Sequence, residues 1–165
     1  MNVKKRKGSF SIGLIFGLLI LTLDQITKWW IVTEIMNPPR HIPVFPSFNL
    51  VMGWNRGVSF GIFDSSSPPN QWLLISIALV IVTILLIWLW RSESRIISLA
   101  LGIIIGGAIG NVVDRIHYGA VADFLDFYLG DFHWPAFNIA DAGITIGVII
   151  LVLESFFVGS ENNKN

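Results

Sequence analysis

Trp72–Trp90 reads WLLISIALVIVTILLIWLW, nineteen residues without one charged side chain. A helix rises 1.5 Å per residue, so about 20 mostly apolar residues cross the roughly 30 Å of bilayer hydrocarbon. This stretch is a membrane span, and the rest of the chain is best understood around it.

Of the 165 residues, 53% are hydrophobic and only 13% charged, with a mean hydropathy of +0.68. Soluble domains are about a quarter charged. An apolar excess of this size exceeds what one core can hold, so part of it faces lipid. Three further segments have span length and character: Ser11–Val32, Ile96–Val113 and Ala142–Val158. Gly102, Gly106 and Gly110 recur every four residues in the third span, a ridge of small residues that lets another helix approach closely. The basic run Lys4-Lys5-Arg6-Lys7 before the first span imitates a secretory signal peptide. No alanine precedes Ala78, so no Ala-x-Ala cleavage site is present, and the run is expected to be a retained anchor. With both termini in the cytoplasm, the inner segments hold Lys4, Lys5, Arg6, Lys7, Arg91, Arg95 and Lys164. The outer loops then hold only Arg40, Arg56 and Arg115, as the positive-inside rule favours.

The outer segments Thr33–Gln71 and Asp114–Asp141 are far more polar than the spans and are where chemistry is expected. In the first, Phe48–Trp54 alternates apolar with other residues, and Val58–Ile62 does so again after Asn55-Arg56-Gly57. This period-two pattern around a glycine predicts a small β-hairpin on the outer membrane surface, with Asn37–Pro46 and Ser65–Pro69 as connectors. The second holds Asp114, Asp123, Asp126, Asp131 and Asp141. Asp141 or Asn138 is placed to cap the fourth helix. Within the first span Asp24 lies deep, and Lys28 follows at i+4, the favourable order for an ion pair. Asn111 and Arg115 share one face at the end of the third span. Glu154, near the inner end of the last, reads as structural.

Several chemistries fall away. The absence of cysteine removes thiol nucleophiles, disulfides and Cys-ligated zinc. His41, His117 and His133 are scattered, without an H-E-x-x-H pattern. Ser59 and Ser65–Ser67 offer hydroxyls but no motif with a base. A pair of aspartates is the simplest hydrolytic apparatus left, although spacing does not say which two. The rival readings are a small transporter or channel lined by Asp24, Lys28 and Arg115, and a non-catalytic assembly factor docking through its glycine ridge and hairpin. No internal inverted repeat supports the first, and the acids gather at one membrane face.

Five blocks, in order over nearly the whole chain, resemble the lipoprotein signal peptidases. They are Asp24-Gln25-Ile26-Thr27-Lys28, Trp54-Asn55-Arg56-Gly57-Val58-Ser59-Phe60-Gly61, Gly110-Asn111-Val112-Val113-Asp114-Arg115, Val121-Ala122-Asp123-Phe124 and Phe137-Asn138-Ile139-Ala140-Asp141. The resemblance implies an all-α integral membrane protein, four transmembrane helices with a small extracytoplasmic β-hairpin or cradle, forming one membrane-embedded peptidase unit over 1–165. It also implies a mobile periplasmic helix over the site. By the same resemblance Asp123 and Asp141 are the catalytic pair, Asp114 and Asp126 are not, and Asp24, Lys28, Asn55, Gly57, Asn111, Arg115 and Asn138 line or support the site. The implied substrate is a bacterial prolipoprotein carrying diacylglycerol on its cysteine, cut just before that cysteine at the outer face of the cytoplasmic (inner) membrane. No metal or organic cofactor is called for. Membrane lipid is an expected partner, nucleic acid is not, and the chain is expected to act as a monomer.

Overall fold

A computed structural model of the chain describes residues 3–57 and 68–162, with side chains for 8–57 and 71–156. Four long helices carry the apolar segments: α1 (Val3–Trp30), α2 (Pro68–Arg91), α3 (Arg95–Tyr118) and α4 (Ile139–Asn162). Each is long and apolar enough to cross a membrane. A π-helical turn, Ile31–Ile35, prolongs α1.

The most apolar residues are not the most buried. The spans of α1, α2 and α4 are 11–17% buried and that of α3 is 61% buried, so α3 is the axis and the others present Leu, Ile and Val outward. Glycine makes this possible. A Cβ on Gly102 would come within 2.8 Å of the Gly13 Cα, and one on Gly106 within 3.0 Å of the Gly17 Cα. The backbones of α1 and α3 therefore touch along the ridge. Ser94 caps the start of α3 by accepting the Ile97 N–H. Gly119, at φ +69°, ends it with its N–H on the Arg115 carbonyl. The helix thus runs a turn beyond the span expected to close at Val113, and carries Asp114 and Arg115 on rigid backbone.

At the end of the bundle where α1 and α3 finish lies a four-stranded antiparallel sheet in the order β1-β2-β3-β4: Ile42–Phe45, Phe48–Asn55, Val121–Leu129 and Phe132–His133. Buried Ile31, Met36 and Phe124, with Leu50, Met52 and Ile139 against them, join it to the bundle. One expectation needs correction, and another lies partly outside the described residues. Asn37–Pro46 is not merely a connector, because it contains β1, an edge strand in which Pro43 opposes Asn49 and needs no second partner. The alternating Phe48–Asn55 strand is present, but it pairs with β1 and with β3 from the other loop. Its expected partner, Val58–Ile62, lies outside the described residues, as do Ser59 and Ser65–Ser67.

Between Leu50 and Gly53 the β2 register slips against β3, a bulge with a positional effect. Asn49 opposes Asp126, and beyond the bulge Gly53 opposes Asp123. Asp123 and Asp126, three apart in β3, point to opposite faces. Asn49 and Asn55, six apart, would share a face in a regular strand. The extra residue turns Asn55 onto the face of Asp123.

Candidate active site

Three charges lie nearly dry beneath the sheet. Asp24, Lys28 and Asp114 are 0%, 2% and 1% exposed. Lys28 Nζ sits 2.9 Å from Asp24 Oδ2 and 2.9 Å from Asp114 Oδ2. Ions this far from water persist only when paired and hydrogen-bonded, and both conditions hold. Gln25 Nε2 donates to Asp24 and to Asp114, at 3.1 Å each. Asp24 Oδ1 accepts the Ala140 N–H at 2.9 Å, and Asp114 Oδ2 the Ala122 N–H at 3.1 Å. Gly110 makes room for this layer, since a Cβ there would run into the Asp24 carboxylate. The expected Asp24–Lys28 pair is thus a three-ion cluster that ties α1 to α3, to the start of β3 and to the first turn of α4. The three ions are paired with one another and buried, so they line no open polar path among the described residues. Asp114, set aside in the sequence as an acid at the end of α3, and Gln25 are the structural members that sequence reasoning passed over. Gln25 adjoins Asp24 in one of the five blocks, which was the available signal.

Asn111 connects this layer to the next. Its Oδ1 accepts from Lys28 Nζ at 3.1 Å, so its Nδ2 is turned to donate to Asp141 Oδ1 at 2.8 Å. Asn138 and Asp141 form a reciprocal cap on α4: the Asp141 N–H donates to Asn138 Oδ1 at 3.0 Å and the Asn138 N–H to Asp141 Oδ2 at 3.3 Å. The capping role expected of one or the other is taken by both. The same Asn138 side chain, fully buried, donates to Asp123 Oδ1 at 2.7 Å and to the Ala122 carbonyl at 3.2 Å. One asparagine therefore holds both carboxylates, and Asn55 Nδ2 reaches the other oxygen of Asp123 at 3.1 Å. The Gly57 N–H donates to Asn55 Oδ1 at 3.1 Å, which fixes that amide in turn.

Arg115 closes the group. Its guanidinium donates to the Asn111 and Gly57 carbonyls at 3.2 and 3.1 Å, while its buried Nε–H has no partner among the described residues. Every candidate from the sequence is therefore gathered here: Asp123, Asp141, Asn55, Gly57, Asn111, Arg115 and Asn138 in one layer, Asp24 and Lys28 directly beneath. Asp126 faces away, held by Asn49 and His133. Beside Asp141 and Asn55 opens a cavity of about 680 Å³, walled mainly by Trp134, Pro135, Phe137, Ile144 and Ile146. It offers apolar walls with two polar groups at one end, the character of a site for an amphipathic ligand.

Burial, reinforced by the neighbouring charge of Asp141 and opposed by the Asn55 and Asn138 amides, pushes Asp123 from 3.8 up to about 7. Between those values the folded protein holds a proton that the unfolded chain releases, so stability falls as pH rises from about 4 to about 7 and then levels. Asparagine has no such dependence. The melting temperature of Asp123→Asn relative to the wild type is expected to climb between pH 5 and pH 8, as measured by thermal unfolding in detergent. An advantage that is flat or shrinking with pH would contradict the raised value.

Residues 16–157 match the family described as signal peptidase (SPase) II. The lipoprotein signal peptidase of Beijerinckia indica is 42% identical over 146 residues, 88% of this chain and 87% of that one. The protein of the same name from Methylorubrum extorquens is 43% identical over 150 residues, 89% of this chain and 86% of its own. A solved structure described as a bacterial membrane enzyme, determined in meso at 2.3 Å, superposes with a TM-score of 0.80 at 27% identity, over 93% of this chain and 91% of that one.

Proposed function

Because the chain belongs to the signal peptidase II family, we propose that it is an aspartic endopeptidase of the bacterial membrane. On this reading it removes the signal peptide from prolipoproteins already carrying diacylglycerol on their cysteine, cutting just before that residue. The observation that carries the reading is Asn138, which holds Asp123 with its side chain and Asp141 through the reciprocal cap.

On this reading the Asp141 charge adds to burial in disfavouring ionisation of Asp123, so one acid enters the reaction protonated. The upward push on Asp123 fits that arrangement. The ionised partner takes a proton from a water whose oxygen attacks the scissile carbonyl carbon. The protonated partner hydrogen-bonds the carbonyl oxygen as it gains negative charge. The tetrahedral intermediate collapses when the carbon–nitrogen bond breaks and a dyad proton passes to the departing amine. Substrate backbone is held by Arg115, whose Nε–H has no partner among the described residues.

The membrane placement follows from substrate chemistry. Drawing an acyl chain into water costs about 0.8 kcal/mol per methylene, so the enzyme works where the chains already lie. The apolar cavity beside Asp141 suits that boundary. With both termini cytoplasmic, as the basic residues favour, the dyad stands at the extracytoplasmic face.

Purified protein in detergent or lipid is expected to cleave diacylglyceryl-modified precursor and to cleave the unmodified precursor at least about tenfold less efficiently, a difference of roughly 1.4 kcal/mol in transition-state binding. Equal rates would remove the lipid from recognition, and no cleavage of either would remove the activity.

A further inference from the structure

The inward face of β3 supplies Asp123, and its other face carries a cluster that the proposed reaction leaves unused. Asp126, only 5% exposed, accepts from Asn49 Nδ2 at 2.8 Å, and His133 Nδ1 stands 2.9 and 3.0 Å from its two oxygens. His133 is half exposed and stacks on Tyr128, with ring centroids 5.0 Å apart. Burial works against the Asp126 charge, but Asn49 and His133, aided by His41, hold its carboxyl below the ordinary range, so it is an anion in the folded protein.

What His133 fastens is the next segment of chain. β4 is two residues long, too short to hold itself. After it the backbone crosses Trp134, Pro135 and Ala136, all of which line the cavity beside Asp141. It is pinned again where Phe137 exchanges backbone hydrogen bonds with Leu125. Asn138 follows at once. The cavity wall is an arch with two feet, one at His133 and one at Phe137. Near the first, the Trp134 N–H donates to the Phe127 carbonyl at 2.8 Å. Proline lacks a donor, so Pro135 itself adds no backbone N–H to the sheet.

We propose that His133 and Asp126 form a clasp that positions the Trp134–Ala136 arch, and through it sets how tightly substrate is held in the cavity without touching the reacting atoms. The part concerning substrate rests on the peptidase reading; the part concerning the arch does not.

The test uses full-length protein in detergent and two measurements. In hydrogen–deuterium exchange, His133→Ala is expected to speed exchange across residues 134–137 by at least about tenfold, with the α3 amides unchanged. In cleavage of lipidated precursor, His133→Ala is expected to raise KM about fivefold, the worth of roughly one ordinary hydrogen bond, with kcat within about twofold of wild type. His133→Gln, which keeps a donor for Asp126, is expected to fall between the two. Unchanged exchange across 134–137 would overturn the clasp even if no precursor is ever cleaved. A loss confined to kcat, or a glutamine variant no better than alanine in both readouts, would overturn it as well. If the exchange result holds and the wild type cleaves nothing, the clasp stands and the peptidase reading fails.

Discussion

Asp141→Asn is expected to lower kcat for lipidated precursor by at least about a thousandfold, the upper part of the range for removing an acid–base group, with the protein still folded. The proposed mechanism needs one partner that accepts a proton from water and one that donates to the carbonyl. An amide in place of Asp141 can do neither proton transfer. The fold should tolerate the change because asparagine keeps one oxygen for Asn111 or for the Asn138 N–H. Asn138 still caps the helix through the residue-141 N–H. A loss of about 1 kcal/mol is expected from the forfeited acceptor, visible as a small drop in melting temperature. Cleavage that survives within tenfold of wild type would take Asp141 out of the mechanism.

The largest expected effect on the folded state belongs to a residue with no polar atom in its side chain position at all. Gly106→Val would put a Cβ against the Gly17 backbone, which has no rotamer to yield, so α1 and α3 must separate. Overpacking of this sort costs about 1–3 kcal/mol and occasionally more. Separation would also pull Lys28 from Asp114 and Asn111, leaving the buried Asp114 carboxylate without its cation, a penalty of about 3–5 kcal/mol for a broken pair. The expected outcome is a sharp fall in the yield of folded protein and in its melting temperature. Gly8→Ala, where nothing lies within 4 Å, is the control and should be neutral. Wild-type stability in the valine variant would mean that the helices are not held at backbone contact.

How much of this was legible beforehand depends on how many faces of an element are covered. The four spans announce themselves because their outward faces meet lipid. β2 shows its period because one side of it is apolar. β3 does not, since Val121–Phe124 are buried on both faces and Asp123 interrupts one face while Asp126 interrupts the other. Alternation is erased when both sides of a strand are enclosed. The β2 bulge is signalled only by Gly53, a residue type that inside a strand often marks one, yet it decides which asparagine meets which aspartate. Asp24 and Lys28 could be paired by spacing alone. Asp114 could not, because its partnership crosses from one helix to another. Likewise the choice of Asp123 and Asp141 among five acids came from the resemblance of whole blocks, and the bridge between them through Asn138 is a fact of three-dimensional packing.

The pairing of β2 with β3 has a consequence for biosynthesis. Asn55 leaves the ribosome 68 residues ahead of Asp123, with α2 and α3 made in between, and Asn138 and Asp141 come later still at the threshold of α4. A nascent chain that has threaded three helices holds one carboxylate of the pair at most, without the asparagine that fixes both. On the proposed peptidase mechanism, each molecule therefore passes through a stage in which it is lodged in the bilayer but unable to cut, and the last helix to be inserted is also the one that arms it.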